Sequence, residues 1–221
     1  MMRFMNVLIT AGPTREALDP VRFLSNRSTG KMGCALAQAA QELGHRVTLV
    51  AGPIALPPPE GVTVVAVESA SDMAAAVKAR APEADLIIMA AAVADYRPKV
   101  QSPVKIKKGA GDLVLELERT EDILASLGQM KRPGQILVGF AAETNDVTAH
   151  AAAKLARKNL DWIAANLVGV PGRGFAADDN AVTLLGRSGA RIELALQSKP
   201  ELARKILAVV TAPPADAVEN H

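Results

Sequence analysis

Ser28 and Thr29 stand directly before Gly30, Lys31 and an Ala- and Leu-rich stretch that reads as a helix. Backbone N–H groups at such a helix start, with two hydroxyls beside them, can cradle a phosphate at the positive end of the helix dipole. An ordinary helix cap followed by a packed glycine would use the same residues. Gly12 stands in the turn Gly12-Pro13-Thr14 after the first apolar run, one of the loops where an open parallel sheet binds ligands. Two named phosphate motifs do not fit. A P-loop needs glycine where Ser25 stands and a hydroxyl where Met32 stands. The dinucleotide fingerprint needs its glycines directly after the first strand, where the turn is Gly12-Pro13-Thr14. The Tyr/Lys pair of a short-chain dehydrogenase is also absent: Lys99 follows Tyr96 one residue too soon, and Pro98 would break the required helix.

Lys105-Ile106-Lys107-Lys108 is the sharpest local charge feature. In an extended strand Lys105 and Lys107 share a face, which suits phosphates or a soluble sheet edge. Lys154 and Lys158 are four apart on a helical stretch and point the same way. That face suits either a triphosphate or solvent. Asp95 follows a run of small residues after Met89, beginning Ala90-Ala91. Small side chains let a planar base approach the backbone. Asp95 could accept from a ribose or amine, hold Mg²⁺, or cap a turn. Phe140 could stack on a base or pack in the core. The single Cys34 reads as packing, and His45, His150 and His221 show no metal-ligand spacing with it.

The elements that must position these residues alternate. Short apolar runs at 6–10, 46–50, 62–67, 85–91 and 136–140, and one starting at Trp162, read as strands. Helical stretches lie at 30–43, from Ser71 or Asp72 to Arg80, from Thr120 to Met130, at 147–159 and at 200–210. A late hairpin is expected from 182–186 and 191–196 around Ser188-Gly189. Strand–helix repetition predicts an open parallel sheet with helices on both faces, whose ligands bind beyond the C-terminal strand ends. The pattern breaks after Ala94, where 104–107 and 113–117 predict a two-stranded excursion turning at Gly109-Ala110-Gly111. Residues 14–28 show no periodicity. Residues 1–211 form one expected domain, and 212–221 an expected flexible tail.

Composition narrows the function. Of 221 residues 49% are hydrophobic, which excludes global disorder, and 3% are aromatic, too few for a single-strand stacking platform. Lys plus Arg is 25 and Asp plus Glu is 23, so neither a polybasic nucleic-acid arm nor an acidic chain is present. No apolar run approaches the ~20 residues that span a bilayer. The first residues carry no cleavable signal pattern, and one cysteine permits no disulfide within the chain. A cytoplasmic protein that binds neither nucleic acid nor membrane is expected.

Several blocks resemble a known family. They are 7–16 with 18–23, Ser25 to Gly33, Ala91 to Tyr96, Lys105 to Lys108, Gly139 to Thr144 and Asn180 to Leu185. In this order, over about residues 5–210, they are similar to bacterial phosphopantothenate–cysteine ligase, the synthetase part of the coenzyme A biosynthesis flavoprotein. The resemblance implies an α/β fold with a Rossmann-like open, mostly parallel sheet. It implies that CTP activates the carboxylate of 4′-phosphopantothenate as an acyl-cytidylate, which L-cysteine then attacks. The catalytic positions carry over to Asn26, acting on the acyl-cytidylate, and Lys105, at the nucleotide. Nucleotide contacts carry over to Met89, Ala90, Ala91, Asp95, Phe140, Lys154 and Lys158, and to Glu121, Asp122, Ile123 and Leu124 at a helix start. Gly12, Ser28, Thr29 and Gly30 join them from the phosphate-loop reading. The resemblance further implies Mg²⁺ (or Mn²⁺), with Asp95 as one candidate ligand, and a homodimer paired through the excursion. No flavin is expected in this chain, and a phosphopantothenoylcysteine decarboxylase would be a separate partner.

Two departures stand out. Thr120-Glu121-Asp122-Ile123 replaces the family's Asn-Pro-Asp-Ile, and Ser28-Thr29-Gly30-Lys31 replaces Ser-Ser-Gly-Lys with the hydroxyl kept. A nicotinamide-dependent reductase and a non-catalytic nucleotide-binding subunit are the competing readings. The first lacks its fingerprint; the second would need the phosphate loop but neither Asn26 nor Lys105.

Overall fold

The apolar run 86–89 has no polar break, so as a strand it needs cover on both faces, and all four of its residues are buried. The computed structural model describes residues 4–109, 111–143, 147–167 and 177–212. In chain order the elements are β1 (Asn6–Ala11), β2 (Arg15–Ala17), β3 (Phe23–Ser25), α1 (Lys31–Glu42), β4 (Arg46–Ala51), β5 (Thr63–Ala66), α2 (Ala70–Arg80), β6 (Leu86–Met89), β7 (Tyr96–Pro98), β8 (Leu117–Arg119), α3 (Ile123–Met130), β9 (Ile136–Glu143), α4 (Val147–Arg157), β10 (Trp162–Leu167), β11 (Asp179–Gly186), β12 (Arg191–Ser198) and α5 (Lys199–Val210).

Eight strands form one sheet in the order β12-β11-β10-β9-β6-β1-β4-β5. The run from β10 to β5 is parallel, and β11 and β12 add an antiparallel edge. The chain leaves β1 toward β4 and β5, then returns across the sheet to β6 on the other side of β1. The crevice between the ends of β1 and β6 is therefore the topological switch point, where such sheets bind ligands. Leu36, Ala40, Leu202 and Ile206 from α1 and α5 bury one face of the sheet. Met73, Val77, Leu127 and Ala151 from α2, α3 and α4 bury the other.

Local chemistry sets the helix ends. Gly44 stops α1 with φ 81°. Ser69 caps α2: its Oγ accepts from Asp72 N, and Asp72 accepts from Ser69 N in return. This corrects the expected cap at Ser71 or Asp72. Asp122, not Thr120, caps α3 by accepting from Ala125 N at 3.1 Å. Thr120 is held elsewhere, its Oγ1 donating to Ala94 O and its N–H to Asp95 O.

The excursion also differs from expectation. Residues 104–107 and 113–116 are not strands; the ladder joins β7 to β8, with one further bond from Lys99 N to Glu116 O. The alternating apolar residues have no face to bury: Val104 is 68% exposed and Val114 89%. Alternation specifies a strand only where one side finds a core. The aperiodic stretch after β1 instead forms the β2–β3 hairpin. Residue 110, in the expected turn, Thr144 and tail residues 213–221 lie outside the described residues. Among the described residues no helix is long and apolar enough to cross a membrane.

Candidate active site

A cavity of about 740 Å³ opens at the switch point. Its floor is the loop after β6, and a set of hydrogen bonds holds that loop flat against the loop after β1. Ala91 N donates to Thr10 Oγ1 at 3.0 Å, Ala92 N to Gly12 O at 2.9 Å and Ala94 N to Thr14 Oγ1 at 3.0 Å. Both threonines are fully buried. Asn26, just past β3, donates its Nδ2 to Ala92 O at 2.9 Å, and Ser25 Oγ donates to Thr14 O at 2.7 Å. The side-chain amide of Asn26 is thereby fixed at the edge of the small-residue wall. Its second N–H can serve a ligand.

On one side stands the start of α1. Gly30 has φ 78°, and a Cβ there would meet Ile54 Cγ2 at 2.6 Å. The N-cap Gly30 brings no side chain of its own to this helix start, and the first-turn N–H groups, which lack intrahelical partners, lie next to Ser28, which lines the cavity. On the other side stand the start of α3, Phe140, Lys154 and Lys158. Lys158 Nζ donates to Asp122 Oδ1 at 2.9 Å. Burial pushes the Asp122 carboxyl up, but Lys158 and the Ala125 N–H outweigh it and hold it below the ordinary range. Glu121 is held low by Lys78, whose Nζ lies 2.8 Å away, and by the Ser126 hydroxyl.

Most of the sequence-predicted site residues line this cavity: Asn26, Ser28, Gly30, Met89, Ala90, Ala91, Asp95, Glu121, Asp122, Ile123, Leu124, Phe140, Lys154 and Lys158. Gly12, Thr29 and Lys105 do not. Gly12 lies behind the wall, with its carbonyl on Ala92 N, and Thr29 sits between two lining residues. Lys105 is exposed on the loop between β7 and β8. Asp95 is exposed as well, and among the described residues no group of three His, Cys, Asp or Glu could hold a metal. Cys34 is buried in the core, where desolvation pushes its thiol up.

The sequence reading missed a second cationic side of the cavity. Lys31, Asn166, Asn180 and Lys199 line it. Lys199 is buried and donates to Ala177 O, while Lys31 Nζ lies 2.6 Å from Asp178 Oδ1. Burial and the nearby Lys31 charge push the Lys199 ammonium down, against the pull of Asp178 and Asp179. Lys31 was visible as part of the hydroxylated loop. Lys199 had no local signal, because only the sheet edge and α5 carry it there.

The family described as DNA/pantothenate metabolism flavoprotein C-terminal domain matches residues 2–213. The chain belongs to this family. It is 51% identical over 208 residues to the coenzyme A biosynthesis bifunctional protein CoaBC of Bacillus subtilis, covering 94% of this chain and 51% of that protein. The chain thus spans about half the length of that curated relative. The crystal structure of the C-terminal domain of CoaBC superposes with TM-score 0.81 at 48% identity, covering 95% of each chain. A Cab2 mutant in complex with phosphopantothenate-cysteine shares the fold, with TM-score 0.76 at 18% identity over 93% of this chain and 84% of that one. Cab2 thus shares the fold at low identity, and in this chain the cavity lies at the switch point of the sheet.

Proposed function

We propose that this chain joins 4′-phosphopantothenate to L-cysteine, as the ligase half of coenzyme A biosynthesis. The observation that carries the reading is the tie between Asn26 and Ala92: it puts a fixed amide on the rim of a base-sized, small-residue wall inside one cavity. In the first step a carboxylate oxygen of phosphopantothenate attacks the α-phosphorus of CTP, and the bond to the β-phosphoryl oxygen breaks. Pyrophosphate leaves and an acyl-cytidylate remains. In the second step the cysteine amine attacks the acyl carbon, CMP leaves, and the amine proton passes to solvent.

A carboxylate and a triphosphate repel, so the site must supply positive charge. Lys31 and Lys199 on one side and Lys154 and Lys158 on the other do so. Asp95 and the nucleotide phosphates would hold Mg²⁺ (or Mn²⁺), a donor set that fits an ion bound through one or two carboxylates plus phosphates. When bound, the ion neutralises triphosphate charge. Small residues at Ala90 and Ala91 with Phe140 leave room for a planar base, and CTP is the nucleotide that the family resemblance implies. No flavin is assigned to this chain, and a phosphopantothenoylcysteine decarboxylase, as separate chain or domain, is the proposed consumer of its product in the cytoplasm.

Incubation with CTP, phosphopantothenate, cysteine and Mg²⁺ should release pyrophosphate and form phosphopantothenoylcysteine, with calorimetry showing Mg²⁺-dependent binding that favours CTP. Absence of pyrophosphate would sink the ligase reading; equal or tighter ATP binding would sink only the base assignment.

We also propose that two copies pair through the excursion. Val100, Val104, Leu113 and Val114 are 80%, 68%, 55% and 89% exposed, apolar side chains that a second copy would cover. Sedimentation at micromolar concentration should give twice 23.1 kDa, and a single-chain mass would contradict the pairing.

A further inference from the structure

Asp19 is buried at the tip of the β2–β3 hairpin, its side chain 0% exposed, while its partner Arg22 is 43% exposed. A buried carboxylate persists only where its acceptor sites are filled. Oδ1 accepts from Val21 N at 2.8 Å and Arg22 N at 2.9 Å. Oδ2 accepts from Arg22 Nε at 3.0 Å, Arg22 Nη2 at 2.5 Å and, across 87 residues, Ile106 N at 3.0 Å. Arg22 Nη2 also donates to Ile106 O at 2.7 Å. One ion pair therefore grips both main-chain groups of the residue between Lys105 and Lys107. The segment has no strand ladder of its own; Ser102 N on Leu18 O, at 2.9 Å, is a further tie to the same turn. The strand β3 that leaves this turn ends one residue before Asn26.

We propose that Asp19 is a positioning residue: by holding Ile106 it fixes Lys105 relative to the hairpin that carries Asn26, so the lysine of the first transfer and the amide of the second are set from one anchor. This rests on the reading of Lys105 as a nucleotide-step residue. Arg22, against the push of burial, holds the Asp19 carboxyl far below the usual carboxylate range, which favours the charged form of the grip.

The test uses the full chain. Asp19→Asn keeps the size but loses the charge and replaces one of the two acceptor oxygens with a donor NH2. First-turnover pyrophosphate release should fall about tenfold to hundredfold, the scale of a misplaced catalytic group, while CTP affinity holds within about threefold. Trypsin cleavage after Lys105 and Lys107 should rise about tenfold as the segment opens locally. Added to Lys105→Gln, Asp19→Asn should cost nothing more, because both remove the same interaction. Ile106→Pro deletes the N–H that Asp19 holds and leaves the hairpin intact, so it should repeat the loss even if Asp19→Asn fails to fold. Wild-type release rates in Asp19→Asn and Ile106→Pro, or losses that multiply with Lys105→Gln, would overturn the proposal. If the wild-type chain releases no pyrophosphate, the ligase reading fails on its own; unchanged trypsin cleavage after Lys107, the site that both variants keep, then overturns the anchor too.

Discussion

Lys105→Gln should release little or no pyrophosphate, whereas Asn26→Asp should release it once and then stall with acyl-cytidylate retained. The two residues sit on different segments and meet developing negative charge in different steps. In the first transfer negative charge builds at the α-phosphate, and loss of one positioned cation should cost on the order of 10²–10³ in rate. Asn26 is different in kind. Its amide is held by Ala92 O at 2.9 Å and can donate its second N–H to the carbonyl that cysteine attacks. An ionised Asp cannot donate, loses the bond to Ala92 O and places negative charge where an oxyanion must form. A single-turnover burst assay with mass spectrometry of the bound species separates the cases. No burst from Asn26→Asp, or an intermediate accumulating on Lys105→Gln, would mean that these roles are wrongly divided.

Gly33→Ala should be among the most damaging single-methyl additions in the protein. Helix α1 lies so close to β1 that a Cβ at residue 33 would stand 2.5 Å from Ala11 Cβ, 2.7 Å from Thr10 O and 2.8 Å from Ala11 Cα. Those atoms are main chain, or a methyl fixed to it, so no rotamer change can make room. Forcing extra volume into such a contact costs about 3 kcal/mol, the upper part of the overpacking range. For a chain of this size that corresponds to roughly 6–12 °C in melting temperature. The displaced helix would also carry Gly30, Lys31 and Met32 out of the cavity wall, so CTP affinity should fall with stability. Gly109→Ala, where a Cβ meets nothing within 4 Å, is the matched control and should melt like wild type. A Gly33→Ala melting temperature within a degree of that control would show that α1 does not ride on β1 as described.

Much of the sheet was legible locally. β1, β4, β6 and β9 are apolar runs with glycine, proline or small-residue stops, and their parallel order follows from the helices between them. The phosphate-loop candidates Ser28 and Gly30 and the lysines Lys154, in the last turn of α4, and Lys158, just past its end, were equally visible, because each needs only neighbours three or four residues away. The excursion was not. Its alternating residues look like strands to any local reading, yet they lack a face to cover, and the ladder formed instead between Tyr96–Pro98 and Leu117–Arg119. The β2–β3 hairpin was silent for the opposite reason. Its strands are three residues each, and what closes its turn is Asp19, whose fifth donor lies 87 residues away.

Residue types by themselves determined the chemistry on offer: hydroxyls and helix N–H groups for phosphate, lysines for a polyanion, small residues for a base, and a core strong enough for an open parallel sheet. Tertiary structure alone decided which of these meet. It brought Lys199 from the far edge and Asn26 from the hairpin to one cavity, and left Lys105 outside that cavity's lining on a loop held by a buried carboxylate. The physical reason is range. Strand and helix preferences are set by steric and burial rules over a few residues, whereas a site is assembled by hydrogen bonds and packing between segments whose separation no local pattern encodes.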